Sequence, residues 1–204
     1  MPRPSQQDDK RRELLPVVAR AFADLGYRRA TTAAIAERCG VQENILYRLW
    51  PDKKAMFIAA IGYVYDLSIE IWMRVLAKPA TPTGAGRNRR TPTPAERLLA
   101  HEAEHLGEFG NHRLIFAGLN ETDDPDIRAA LADMYRRYHA FVRDHVLEHR
   151  GQKTSAKAEA EAAMISWAII GLGTVANIAS ELKLLKPAQR EDLMLGAGSQ
   201  LLNG

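Results

Sequence analysis

Residues 31 to 54 read TTAAIAERCGVQENILYRLWPDKK, and the reading of this stretch governs the rest of the chain. Thr31 or Thr32 suits the start of a short helix, because a hydroxyl accepts from backbone N–H groups that have no intrahelical partner. That helix runs to Cys39, and Gly40 supplies a residue that takes positive φ without strain. A second short helix follows over residues 42–49. Ile35, Ala36, Val41, Leu46 and Leu49 fall on the inward sides of the pair, and Ala36 is small enough for close approach. This is the layout of a helix-turn-helix, whose second helix enters the major groove and offers its N-terminal residues to base edges.

Working outward, Trp50 and Pro51 close the second helix, and Asp52 caps a long one carrying Met56, Phe57, Ala60, Ile61, Val64, Tyr65, Ile69 and Trp72. On the other side, Val18, Phe22 and Leu25 share a face of a helix over 9–25 that Gly26 ends. Pro16 lacks an N–H and clashes with the preceding turn, so the helix either kinks there or starts near it. Residues 78–94 mix Pro, Thr, Gly and Arg and read as a flexible loop. Helices then resume over 95–109, 112–120, 125–149, 156–182 and 187–202. With no alternating β-branched run, the expectation is an all-α chain of about nine helices. Residues 1–54 are expected to form a three-helix head carrying the helix-turn-helix, and 55–204 a second helical domain, whose effector-binding and dimerisation roles come from the family resemblance given below.

The charge distribution agrees. Net charge is +3, yet residues 1–54 hold 11 Lys/Arg against 7 Asp/Glu, while the remainder holds 17 against 18. A basic head on a neutral body suits a head that meets a polyanion. The polar first ten residues lack a secretory signal and the single Cys39 cannot form an internal disulfide, so a cytoplasmic location is expected. Residues 162–180 carry no charged side chain, but Ser166, Gly171, Gly173, Thr174, Asn177 and Ser180 temper the stretch. A helix buried in a core and a subunit interface fits better than a membrane span.

The segment resembles the tetracycline-repressor (TetR) family of regulators, on Thr31-Thr32, Ile35-Ala36, Gly40-Val41, Leu46-Tyr47, Trp50-Pro51, Lys53 and Ala55. The likeness is strong over about residues 10–65; beyond them it extends to helix count and the Asp124-Pro125 helix start. It implies a repressor that a small molecule releases from double-stranded DNA, with Thr32, Tyr47 and Lys53 on phosphates. Arg48, Lys54, Arg28 and Arg29 add charge, and Arg28 and Arg29 read equally well as solvated surface. Gln42 stands where the family usually has Ser or Thr, and is a poorer cap. Gln42 and Asn44 can instead pair with adenine, and Glu43 either accepts from cytosine N4 or stabilises the helix dipole.

Residues 101–105, HEAEH, raise a rival: two imidazoles on one helical face beside Glu102, as in a zinc-dependent hydrolase. A metzincin site needs Gly and His three and six residues after the second His, where this chain has Glu108 and Asn111. A gluzincin site needs a later glutamate and a strand. A regulatory metal on His101 and His105, joined by Glu102 or His139, is a further alternative. The favoured reading is polar lining of an effector pocket, without metal or cofactor.

The family resemblance places that pocket after the head. Aromatic candidates are Tyr65, Trp72, Phe116, Tyr135, Tyr138 and Trp167, and polar ones His101, His105, Asn120 and His139. The last two helices resemble the pair that forms a two-fold four-helix bundle: Ala168, Gly171 and Val175 permit close approach, and Leu193, Ala197 and Leu201 recur every four residues. The fourth helix would carry the ligand's effect to the head.

Overall fold

A computed structural model describes residues 6–82, 90–107, 110–151 and 155–204. Among these residues the chain forms nine helices and no strand-paired sheet: α1 Gln6–Arg29, α2 Thr32–Cys39, α3 Glu43–Leu49, α4 Lys53–Ala77, α5 Pro94–His105, α6 Asn111–Leu119, α7 Pro125–Arg150, α8 Ala156–Glu181 and α9 Pro187–Asn203. The all-α expectation holds. The chain divides into two compact units, Met1–Ser68 with Phe109–Tyr135, and Ile69–Glu108 with Arg136–Gly204, so α4 and α7 each supply residues to both.

In the first unit α1 packs against α2, α3 and α6. Its core gathers Val18, Phe22, Ile35, Leu46, Phe57, Leu114 and Ile127, none more than 1% exposed. Phe22 meets Phe57 edge-on at 4.9 Å, and Tyr27 lies 4.8 Å from Phe57. Gly118 allows α6 to close on this core, since a Cβ there would stand 3.2 Å from Leu131.

Local signals explain most helix ends. Thr31 caps α2 by accepting from Ala34 N–H, and Gly40 ends it in the left-handed region at φ 63°. Asp52 accepts from Ala55 N–H at 2.7 Å. Asp124 accepts from Asp126 and Ile127 N–H groups at the start of α7. Pro16, expected to kink or begin α1, does neither: the helix runs through it from Gln6, and only Gly26 departs from helical geometry. Pro16 is solvent-exposed, so the carbonyl it cannot serve faces water.

In the second unit α9 packs on α5 and α8. Leu99, Ala103, Leu106, Val146, Ala162, Ala176, Met194 and Leu202 form its core. α5 ends at His105 rather than 109, because Gly107 adopts φ 77°; residues 108–109 lie outside the described set. The loop expected at 78–94 falls partly outside it, at 83–89. Its edges make defined contacts. Arg97 donates to the carbonyls of Val75, Leu76 and Lys78 at the end of α4. Arg90 donates twice to Glu96, at 2.5 and 2.7 Å, and Glu96 closes a capping box with Thr93.

Candidate nucleic-acid interface

The helix-turn-helix presents a sorted surface. Within α3, Leu46 and Leu49 are buried, whereas Glu43, Asn44, Tyr47 and Arg48 are exposed. Their 3- and 4-residue spacing puts these four on one face. Gln42, also exposed, is the N-cap residue but makes no side-chain cap bond, which leaves its amide available. Glu43 occupies the first turn, where a carboxylate complements the helix dipole.

Thr32 is 8% exposed, and its Oγ1 accepts from the phenol of Tyr47 at 3.2 Å. Two residues expected on phosphates are thus linked directly. Arg48 is exposed. Lys53 is partly buried, donates to the Tyr27 carbonyl at 3.1 Å and lies 4.6 Å from the Tyr27 ring centroid. Burial, together with Asp124, Asp52 and Glu121, raises the Tyr27 phenol above its ordinary range. Arg11, which drew no notice in the sequence, donates to the Leu49 carbonyl at 2.6 Å and fixes the end of α3 from 38 residues away.

Other head cations are engaged. Arg28 pairs with Glu121 at 2.8 Å, and Lys54 with Asp126 at 2.6 Å and Asp124 at 3.2 Å. Donating to the Asp126 and Asp124 carboxylates raises the Lys54 ammonium above its usual value. Burial would raise the Asp124 carboxyl, but bonds from the Ile127 N–H, Lys54 and the Asp126 N–H outweigh it and hold the group low. Arg28 and Lys54, read as added charge for DNA, therefore tie the head to the α6–α7 turn.

The effector candidates are divided between the units. In the first, Tyr65 is buried, Phe116 lies 5.7 Å from His112, and Tyr135 has its phenol raised by burial. Asn120 is exposed and donates to the Phe116 carbonyl. In the second, Trp72 stands 5.5 Å from Tyr138 and 5.3 Å from Phe141, and its indole N–H donates to Glu102 at 2.5 Å. His139 stacks on Trp167 at 4.6 Å, with its Nε2 3.0 Å from the Ala163 carbonyl.

His101 and His105 meet edge-on at 4.4 Å. Among the described residues no three His, Cys, Asp or Glu side chains are grouped to hold a metal, and Glu102 is turned to Trp72. His105 also lines an open cleft of about 480 Å³ with Glu104, Leu106, Gly107, Ser180 and Arg190. Glu102, read from the sequence only beside the two histidines, and Phe141, which the sequence did not mark, both contact Trp72.

Comparison with known proteins bears on the head first. Residues 15–60 match the model of the bacterial regulatory proteins, tetR family. The chain is 24% identical over 94 residues to the uncharacterised HTH-type transcriptional regulator YuxN of Bacillus subtilis, 46% of this chain. It is 35% identical over 62 residues to the nucleoid occlusion factor SlmA of Marinomonas sp., 30% of this chain. Each match spans 32% of the relative's length. Across the whole chain the similarity is one of fold. A structure from Rhodococcus sp. assigned to TetR-family transcriptional regulators superimposes with a TM-score of 0.73 at 18% identity, covering 96% of this chain and all of that one. AibR, solved with isovaleryl coenzyme A and operator DNA, gives 0.61 at 18%, covering 94% and 97%. The helix-turn-helix segment, residues 15–60, thus matches the tetR family of bacterial regulatory proteins, and the rest of the chain shares the fold of structures assigned to that family.

Proposed function

We propose that this protein is a ligand-responsive, DNA-binding transcriptional regulator, acting as a repressor that a small molecule releases from its operator, and not an enzyme. The observation that carries the reading is the face of α3, where Glu43, Asn44, Tyr47 and Arg48 stand exposed over buried Leu46 and Leu49. A helix so presented offers hydrogen-bonding groups to a major groove. Residues 1–54 act as the DNA-binding head and 55–204 as the effector and dimerisation domain. Thr32, Tyr47, Arg48 and Lys53 serve phosphates, whereas Gln42, Glu43 and Asn44 face base edges.

The active form is a homodimer joined through α8 and α9. Along α8, Met164, Trp167, Gly171, Val175, Ile178 and Leu182 are exposed at intervals of three and four residues. Such a stripe on a water-facing monomer would be an apolar patch in need of cover. Both α4 and α8 are long and apolar enough to cross a membrane by length and composition. The placement of exposed residues along one side of α8, with buried Ala162, Ser166, Ala176 and Ala179 on the other, favours a packed bundle in the cytoplasm. A two-fold dimer presents two equivalent recognition helices, so the operator is a near-palindrome. Because α4 is one continuous helix from Lys53 to Ala77, a ligand that prefers one setting of it alters operator affinity.

Random-site selection with the purified full chain tests the proposal. Enrichment of an inverted repeat is the expected result, and failure to enrich any at low salt overturns it.

A further inference from the structure

Glu102 is a carboxylate in an unusual setting. It sits on α5, partly withdrawn from solvent, and accepts one hydrogen bond, from the Trp72 indole at 2.5 Å. No lysine or arginine among the described residues pairs with it. A carboxylate offers about four lone-pair positions, so one N–H leaves most of its capacity unused. Burying an anion without a counter-charge is costly, and proteins normally supply a cation or lose the charge. Burial pushes the Glu102 carboxyl above its usual range, while the Trp72 bond and nearby His105 oppose the shift.

The surroundings are aromatic. Trp72, whose indole N–H holds the carboxylate, packs against Tyr138 at 5.5 Å and Phe141 at 5.3 Å. Ring faces carry negative potential and attract weakly hydrated cations, which a hydrated metal ion is not. The absence of a three-ligand group around Glu102 among the described residues argues in the same direction.

We propose that Glu102 and the rings of Trp72, Tyr138 and Phe141 form the recognition end of an effector site for an organic cation, an amine or quaternary ammonium group. This inference rests on the regulator reading and names its ligand class. The cation supplies the full counter-charge that no lysine or arginine provides beside Glu102, with its alkyl groups against the rings and its charge beside the carboxylate. Glu102 thereby finds a role in the HEAEH segment that needs no zinc.

Calorimetric titration of the full chain with choline, tetraethylammonium and benzyltrimethylammonium tests it, with 3,3-dimethyl-1-butanol as the uncharged isostere of choline. At least one cation binds saturably. If that cation is choline, the alcohol binds at least about tenfold more weakly. Glu102→Gln, which keeps the shape and removes the charge, lowers the affinity for the bound cation by about tenfold or more. Trp72→Phe, a second variant that keeps a ring, lowers it severalfold. Absence of saturable binding by all three cations, equal binding of the alcohol and choline, or unchanged affinity in Glu102→Gln overturns the proposal. Operator affinity, measured separately, judges the regulator reading: a cation that binds through Glu102 without shifting it leaves the site standing and removes its regulatory role.

Discussion

The phenol of Tyr47 donates to Thr32 Oγ1 at 3.2 Å, joining the exposed face of α3 to the first turn of α2. Tyr47 thus holds its exposed phenol against the buried Thr32 hydroxyl, the pair proposed for a phosphate, while Asn44 is exposed on the same helix. Tyr47→Phe should weaken binding to operator and scrambled duplexes by a similar factor. Asn44→Ala should cost about 1 to 3 kcal/mol on the preferred site and relax selectivity there. Affinity titrations on both duplexes measure the contrast, and equal losses for Asn44→Ala would remove its role in base reading.

Lys53 already holds the Tyr27 carbonyl and ring, so its replacement should register twice. Lys53→Ala should lower folding stability by roughly 0.5 to 1 kcal/mol through the lost cation–ring contact. It should also flatten the slope of log affinity against log salt by about 0.9, the share of one phosphate. A stability loss with an unchanged slope would make Lys53 a packing residue alone.

The exposed stripe on α8 predicts a solution mass near twice the 22.7 kDa of one chain. Val175, 56% exposed in one chain, would be covered in the proposed dimer. Val175→Glu should therefore yield monomer and abolish tight operator binding while leaving helical content intact. Light scattering of both proteins decides it; a monomeric parent rules out the assembly.

Glu96 has its carboxyl held down to about 2, first by the hydrogen bonds from Arg90 and also by the Thr93 backbone and His149, against burial. Its folded value lies below the unfolded one, so its stabilisation is present above about pH 4.5 and is lost as pH falls toward 2. Glu96→Gln preserves the capping geometry without charge. The variant should be less stable by on the order of 1 kcal/mol near neutrality, a modest figure because Arg90 is open to solvent. That gap should shrink as pH falls below about 4.5 and close toward pH 2 in urea titrations. A gap of the same size at pH 2 as at neutrality would assign the effect to shape.

The sequence made the helix-turn-helix legible because its determinants are local. Thr31, Gly40, Asp52 and Asp124 each act within a few residues of themselves, and the apolar spacing of Leu46 and Leu49 is visible in the chain. Contacts between distant residues carry no such trace. Arg11 reaches Leu49 across 38 residues and Arg28 reaches Glu121 across 93, and nothing in either local pattern marks the pairing. The early end of α5 turned on the conformation of Gly107, which a helical periodicity extended past it does not reveal. Glu102 was read only through its histidine neighbours, because its distinguishing property is the company that α4 brings to it.

The head's ion pairs bear on how such a protein would search a genome. Seven of the eleven lysines and arginines in residues 1–54 face carboxylates of the same unit. Affinity for arbitrary sequence comes from cations that displace counterions, and those already matched contribute less to it. On the proposed function, random DNA would therefore retain the protein more briefly than it would a head with all its cations unmatched. Fewer copies would then be held on the vast excess of competing sites, leaving more of them for the operator.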